Sequence, residues 1–267
     1  MRLVTPLVPD TGAPLARVNP VAKLGAALIL LVTLFASLDG VTALLVLAAL
    51  LALLPVSGLS PRTLIGRAWL IGLGALSIGL VNVVFAAEQV GPTVVAVGPL
   101  RIGTETLVGG LGLMCRLVAI ALAGILATAT SQPTEVADAL IQQLRMSPRF
   151  AIGALAALRL LPVMAREWQT IGMARRARGV DAGRSPIQAV RLFFGRLLAL
   201  LVGAVRRASR MALAMEARGF GALPCRTAAR VQRMTVGDWA WVAGALVLGA
   251  GAIGLSLLLG TWRPLIG

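Results

Sequence analysis

Five apolar runs, Leu24–Leu38, Val41–Val56, Ala68–Ala87, Leu107–Thr128 and Trp239–Leu259, leave this chain few folds to adopt. A helix that crosses a bilayer needs about 20 predominantly apolar residues, and the last three runs have that length. The first is shorter, and Asp39-Gly40, a turn signal, separates it from the second. These two are therefore read as a tight hairpin of short spans. Composition agrees: 58% hydrophobic and 13% charged residues with a mean hydropathy of +0.90 is too apolar for a soluble domain of 267 residues. Trp239, Trp241 and Trp262 stand near the ends of the last run, where an aromatic belt would sit. The polar, Gly/Pro-punctuated stretch Glu88–Thr106 links the third and fourth runs, and its Thr93–Val97 segment is expected to pair as a small hairpin. The expected fold class is all-α: a polytopic integral membrane protein with about five transmembrane helices plus a cytoplasmic helical domain.

Charge supplies the orientation. The formal net charge is +15, and most of it is local, because Ser131–Thr235 carries 17 Lys/Arg against 5 Asp/Glu. With five spans, the N-terminal segment (Arg2, Arg17 and Lys23 against Asp10), the Arg62/Arg67 loop and this basic block fall on one side. Asp39 and the Glu88/Arg101/Glu105 loop fall on the other. The excess of Arg and Lys marks the cytoplasmic side, so the N-terminus and the block are expected inside and the C-terminus outside. The resulting division is 1–23 as a cytoplasmic segment, 24–129 as a membrane domain of four spans, 130–235 as the cytoplasmic helical domain and 236–267 as the last span. No secretory signal is expected in Met1–Pro20, which is polar and proline-rich.

Within the block, three helices are expected: Pro133–Arg145, with Ser131 or Thr134 as N-cap, then Arg149–Arg178 and Ile187–Arg218. The two long ones share their punctuation. Each opens after Ser-Pro (Ser147-Pro148, Ser185-Pro186) and closes on Ala-Arg-Gly (Ala177-Arg178-Gly179, Ala217-Arg218-Gly219). Ser as N-cap, Pro at the first helical position and Gly just past the end are favoured helix boundaries. A cation at a helix C-terminus is ordinary dipole stabilisation, but two such tips at matching positions suggest two equivalent partners. Pro162 is expected to kink the first long helix. Small residues, Gly153, Ala154, Ala156 and Ala157 on the first helix and Gly195, Ala199 and Gly203 on the second, permit close packing against a partner or between the two helices. Arg175 and Arg176 serve either to steer a partner or as a solvated face. Two plain alternatives stay open for the block: the positive-inside rule alone, and amphipathic helices lying on anionic lipid. The second would make the chain a lipid-associating structural membrane protein with amphipathic basic helices.

Several functions are disfavoured by inventory. There is no His and no Tyr, so imidazole catalysis and His-ligated metal have no residues to use. Ten Asp/Glu with no acidic cluster leave a membrane enzyme without convergent acids. No catalytic, cofactor-binding or metal-ligating residue is therefore expected, and no cofactor. Cys115 and Cys225 sit in unlike settings and are read as reduced. No nucleic-acid motif accompanies the basic charge. Arg116, inside the fourth run, is costly in lipid, so it is expected to face the protein interior or a cavity, whether for structural pairing or for transport.

The residues resemble a family. Asn19-Pro20 with Lys23-Leu24 before the first run, Thr130-Ser131 with Pro133 after the fourth, Leu158-Arg159 with Pro162 and Glu167, and the two Ala-Arg-Gly triplets 40 residues apart are similar to the transmembrane T component (EcfT/CbiQ-like) of energy-coupling factor (ECF) transporters. The likeness runs from Arg17 to the last span. It implies a non-catalytic scaffold of an ABC-type importer. Residues 130–235 would then be a coupling domain that joins two partner ABC ATPases, a homo- or heterodimer, to a separate substrate-binding S component in the membrane, which takes up a vitamin or a transition-metal ion such as cobalt. In that family the triplet Arg docks in a groove of an ATPase, which by position implies Ala177, Arg178, Gly179, Ala217, Arg218 and Gly219 as ATPase-binding residues. The chain has no G-x-x-x-x-G-K-[ST] phosphate loop of its own, so hydrolysis is expected in partner subunits.

Overall fold

Among the described residues, six α-helices and one 3-10 turn open on a proline, where the first backbone N–H has no intrahelical partner and φ is already helical. In the computed structural model, which describes residues 13–58, 61–85, 92–97, 100–180, 183, 185–220 and 230–262, the chain is nearly all helical. A single turn, α1 (Pro14–Arg17), precedes α2 (Pro20–Ala36) and α3 (Gly40–Leu53). A short 3-10 turn, Pro55–Ser57, leads to α4 (Pro61–Val84). Strands β1 (Thr93–Val97) and β2 (Leu100–Gly103) pair antiparallel as the expected small hairpin, with a register irregularity between Thr93 and Val95. Then come α5 (Thr104–Ala129), α6 (Pro133–Gln143), α7 (Pro148–Ala177), α8 (Pro186–Ala217) and α9 (Val236–Leu258). Cys225, Arg2, Asp10 and Glu88 lie outside the described residues.

The described residues fall into two compact units, Pro6–Ala139 with Gln232–Gly267, and Leu140–Val231. In the first, α2 packs on α9 and α5, α3 packs on α5 and α9, and α4 packs on α5. The Asp39-Gly40 turn is as tight as expected, yet α2 and α3 barely touch. They do not form a paired hairpin; each packs instead on both α5 and α9. Leu30, Leu34, Val46, Leu50, Leu122 and Leu126 make the buried core with alanines from α3, α5 and α9.

Glycine sets two of the closest approaches. A Cβ on Gly112 would lie 2.8 Å from the Cα of Gly40, and one on Gly110 would lie 2.3 Å from Val83 Cγ2. The start of α3 and the end of α4 therefore seat against α5 only because these positions lack side chains.

By length and composition, α5, α7, α8 and α9 are each able to cross a membrane; α2, α3 and Trp69–Val84 are shorter apolar helices. The chain is thus an all-α polytopic membrane protein. Arginine is unevenly spread among these helices. Arg149, Arg159, Arg166, Arg175 and Arg176 stand on α7, and Arg191, Arg196, Arg206, Arg207 and Arg210 on α8, where α9 has none.

In the second unit α7 and α8 pack on each other. Helix α7 continues unbroken through Pro162. Ser147 and Ser185 both sit at the N-cap before proline, but only Ser185 caps with its hydroxyl, accepting from the Gln188 N–H at 3.4 Å. The N-caps expected for α6 are corrected too: α6 begins at Pro133, its first turn closes on the Gln132 carbonyl, and the Ser131 hydroxyl donates back to Ala127.

Gly112→Val should force α3 from α5 and cost about 1–3 kcal/mol, as overpacking does. Thermal unfolding of the detergent-purified protein, followed by tryptophan fluorescence, should show a lowered midpoint. Gly124→Ala on the same helix, where nothing lies within 4 Å of an added Cβ, should not lower it.

Candidate functional site

The two Ala-Arg-Gly triplets fold into the same helix ending. Gly179 and Gly219 adopt φ of 74° and 73°, the left-handed region that a Cβ disfavours. The chain then turns back so that Val180 N–H donates to Arg175 O at 3.0 Å and Gly179 N–H to Arg176 O at 2.9 Å. At the second tip Phe220 donates to Met215 O at 3.0 Å and Gly219 to Glu216 O at 2.8 Å. These paired bonds are the Schellman motif, which satisfies carbonyls that a helix end leaves free. Arg178 and Arg218 take the C-cap position in each, with φ, ψ of −90°, 8° and −89°, 11°. Both are exposed. Neither guanidinium has a hydrogen-bond or ion-pair partner among the described residues.

The tips differ in what precedes the arginine. Arg175 and Arg176 occupy the last turn of α7, whereas Met215 and Glu216 occupy that of α8. Arg175 is not free to steer anything: its Nη1 donates to Leu192 O at 3.1 Å, and its guanidinium covers Gly195. Reciprocally, the Arg196 guanidinium covers Gly172 at 3.1 Å from a built Cβ. Further along, Glu167 pairs with Arg207 at 3.0 Å beside Gly203, and Trp168 meets Phe193 edge-on at 5.3 Å. Gly195 and Gly203 thus make room for charged side chains of the other long helix, which spacing alone did not reveal. Gly153 has nothing within 4 Å of a built Cβ. None of the residues of α8 is buried, and Phe194, Leu198 and Leu201 are 60%, 63% and 57% exposed, so α8 carries an apolar face that nothing covers among the described residues of its unit.

Charges inside the first unit are held at helix ends. Arg116 is 7% exposed, as expected of an arginine within a span, and its Nη2 donates to the carbonyls of Ser37 and Asp39. Asp39 N-caps α3, accepting from Thr42 N–H at 2.7 Å and Thr42 Oγ1 at 2.9 Å, and its other oxygen accepts from the Ser37 hydroxyl. Burial alone would raise the Asp39 pKa; these hydrogen bonds outweigh it and hold the carboxyl below its usual value. Elsewhere in this unit, Lys23 Nζ donates to Thr130 O at 2.9 Å, and Asp238 accepts from Asn19 N–H at 2.7 Å and from Thr235. Sequence reasoning missed Asp238, although Thr235-x-x-Asp238 before an apolar run is the signature of a capping box.

Comparison with known proteins places this membrane protein in a family. Residues 12–228 match the family CbiQ, cobalt transport protein. The chain is 36% identical over 162 residues to the energy-coupling factor transporter transmembrane protein EcfT of Lacticaseibacillus paracasei, covering 57% of this chain and 60% of that one. It is 31% identical over 168 residues to EcfT of Bacillus subtilis, covering 60% and 63%. Against EcfT of Streptococcus equi subsp. equi, it is 30% identical over 242 residues, covering 87% and 89%. The chain belongs to the EcfT/CbiQ-like family of transmembrane T components of energy-coupling factor transporters. Its place is the membrane, and the matched stretches span 60% and 63% of the length of the L. paracasei and B. subtilis relatives, whose names make them transporter components.

The left-handed glycines give a direct check. Gly179→Val and Gly219→Val should each destabilise the tip by about 1–2 kcal/mol, the cost of αL for a residue with a Cβ, while Gly→Asn should be better tolerated. Amide exchange at Val180 and Phe220, whose N–H groups close the caps, should quicken in the Val variants and little in the Asn variants.

Proposed function

We propose that this chain is the coupling scaffold of an ECF-type importer, in which Arg178 and Arg218 each anchor one of two ATPase subunits and a separate membrane subunit binds the vitamin or metal ion. The observation that carries this reading is the pair of tips. Each presents a guanidinium that neither its own helix nor any described neighbour uses, on backbone of the same shape. Arg offers five donors in a fixed fork and a charge that does not titrate away, so it suits a carboxylate or carbonyl-lined groove. Ala177 and Ala217 keep each tip slim, and Gly179 and Gly219 turn the chain aside.

In this reading residues 130–235 are a cytoplasmic coupling domain between four spans in 24–129 and a last one in 236–267, with 1–23 also cytoplasmic. The open apolar face of α8, with Phe194, Leu198 and Leu201 exposed, supplies a surface on which an S component can ride. ATP hydrolysis in the partners moves the tips, and the long helices pass that movement to the apolar face.

Removing a desolvated interfacial Arg costs about 2–5 kcal/mol, partly because its partner is left unpaired. Arg178→Ala or Arg218→Ala alone should weaken pull-down of the ATPases, and the double variant should nearly abolish it, since two linked contacts raise each other's effective concentration. Lys substitutions should rescue in part, because an ammonium lacks the bidentate fork. A double Ala variant at normal membrane level that retains both ATPases and transports at the normal rate overturns the reading. Topology has its own test: reporters after Gly183 and after Gly267 should report cytoplasmic and external positions. Both on one side would refute five spans. A chain that binds anionic vesicles but no ATPase would be the lipid-associating protein.

A further inference from the structure

Three residues that carry the family likeness, Asn19, Lys23 and Thr130, come together with the segment before the last apolar helix. Asn19 and Lys23, four residues apart and so on one face of the first turn of α2, reach in two directions. Asn19 donates its backbone N–H to Asp238 Oδ1 at 2.7 Å, and its side-chain Nδ2 to Arg233 O at 3.4 Å. Lys23 Nζ donates to Thr130 O at 2.9 Å and to Thr130 Oγ1 at 3.3 Å. Asp238 Oδ2 meanwhile accepts from both Thr235 N–H, at 2.7 Å, and Thr235 Oγ1, at 2.8 Å. Asn19, Lys23, Thr130 and Asp238 are 5%, 4%, 1% and 4% exposed.

The connectivity gives this cluster its meaning. Residues Leu140–Val231 form a unit of their own, and the chain runs to it through the segment after Thr130 and returns through the segment ending at Thr235. Both segments are thus fastened to the same turn of α2, one through Lys23 and the other through Asp238. Within the other unit the two segments meet again, where Gln142 Nε2 donates to Arg230 O at 2.7 Å. Charge polarity suits the arrangement: Thr130 is the C-cap of α5 and meets an ammonium, while the N-cap N–H of α2 and the first turn of α9 meet a carboxylate.

We propose that Asp238 and Lys23 are positioning residues of the transport cycle: they clasp the two segments that connect Leu140–Val231 to the membrane unit onto α2, so that displacement of the coupling helices moves α2, α5 and α9 as one body. A single tether would let the coupling unit swivel, and displacement would be lost in the connection. Two tethers fixed to one helix turn pass it on. This rests on the scaffold reading above.

The test uses the full chain with its ATPase and S-component partners in membranes, comparing Asp238→Asn, Lys23→Met and Thr235→Ala, the mildest of the three because it removes only one hydroxyl from the cluster. ATPase pull-down and ATP hydrolysis should persist, while substrate taken up per ATP falls by about three- to thirtyfold, the range expected when a coupling contact is lost. Lys23→Arg, which keeps the donors, should recover part of the uptake. On the purified chain alone, amide exchange in 19–24, 128–136 and 233–240 should quicken in Asp238→Asn, with 39–43 unchanged. Normal uptake per ATP in all three variants overturns the proposal, as does loss of the ATPases in Thr235→Ala, which would mark the cluster as structural only. If the unmodified chain retains no ATPase, the scaffold reading fails. The exchange measurement needs no partner, and unchanged exchange would then dispose of the clasp as well.

Discussion

Helices α2 and α3 are shorter than a bilayer's hydrocarbon core is thick. At 1.5 Å per residue, their 17 and 14 residues span about 25 and 21 Å, against a hydrocarbon core of about 30 Å. In their connection Ser37 and Asp39 are buried while Leu38 is exposed, and the buried residues of such a turn carry carbonyls and N–H groups that need partners within the protein. Arg116 meets this need. From the middle of α5 it donates to the carbonyls of Ser37 and Asp39, and the Asp39 side chain takes the N–H of Thr42. The arginine that is costly in lipid is thus the group that makes a short two-helix turn tolerable there.

The same rule governs the four buried charges among the described residues of this unit. Lys23 meets the C-cap of α5, Arg116 the C-cap of α2, Asp39 the N-terminus of α3 and Asp238 the N-termini of α9 and α2. Cations stand at the negative ends of helix dipoles and carboxylates at the positive ends, where each also fills hydrogen bonds that the helix leaves open. Removing one member would leave a buried polar group unpaired, which costs more than the bond itself contributes.

The apolar runs, the Thr93–Val97 hairpin and the Ser-Pro and Arg-Gly boundaries of α7 and α8 were legible because each depends on residues close together in sequence. What was not legible depends on residues far apart. The Asp39-Gly40 signal marked the turn correctly but gave no hint that α2 and α3 would pack on α5 and α9 and hardly on each other. Small residues on α8 suggested close helix packing, yet Gly195 and Gly203 receive Arg175 and Glu167 from the other helix. Asn19, Lys23 and Thr130 were visible as a family pattern without a role, and the role needs Asp238, 219 residues from Asn19. Serine before proline at Ser147 predicted the helix start but not that its hydroxyl would stay out of the cap.

The two tips separate what helix physics requires from what it does not. Any helix that ends in a left-handed glycine can close its last carbonyls as α7 and α8 do, so the shared Schellman geometry needs no partner to explain it. A C-cap arginine is helped by the dipole only as far as any cation is, by a few tenths to about 1 kcal/mol, and lysine or histidine would supply as much. Arginine at both tips, exposed and without a partner among the described residues, therefore goes beyond the needs of the fold. The surroundings sharpen the point, since Arg175 and Arg176 make the first tip strongly basic, while Glu216 offsets the second. A merely electrostatic role would be divided unequally between two such tips. A role that depends on the shape of the guanidinium fork is preserved at both.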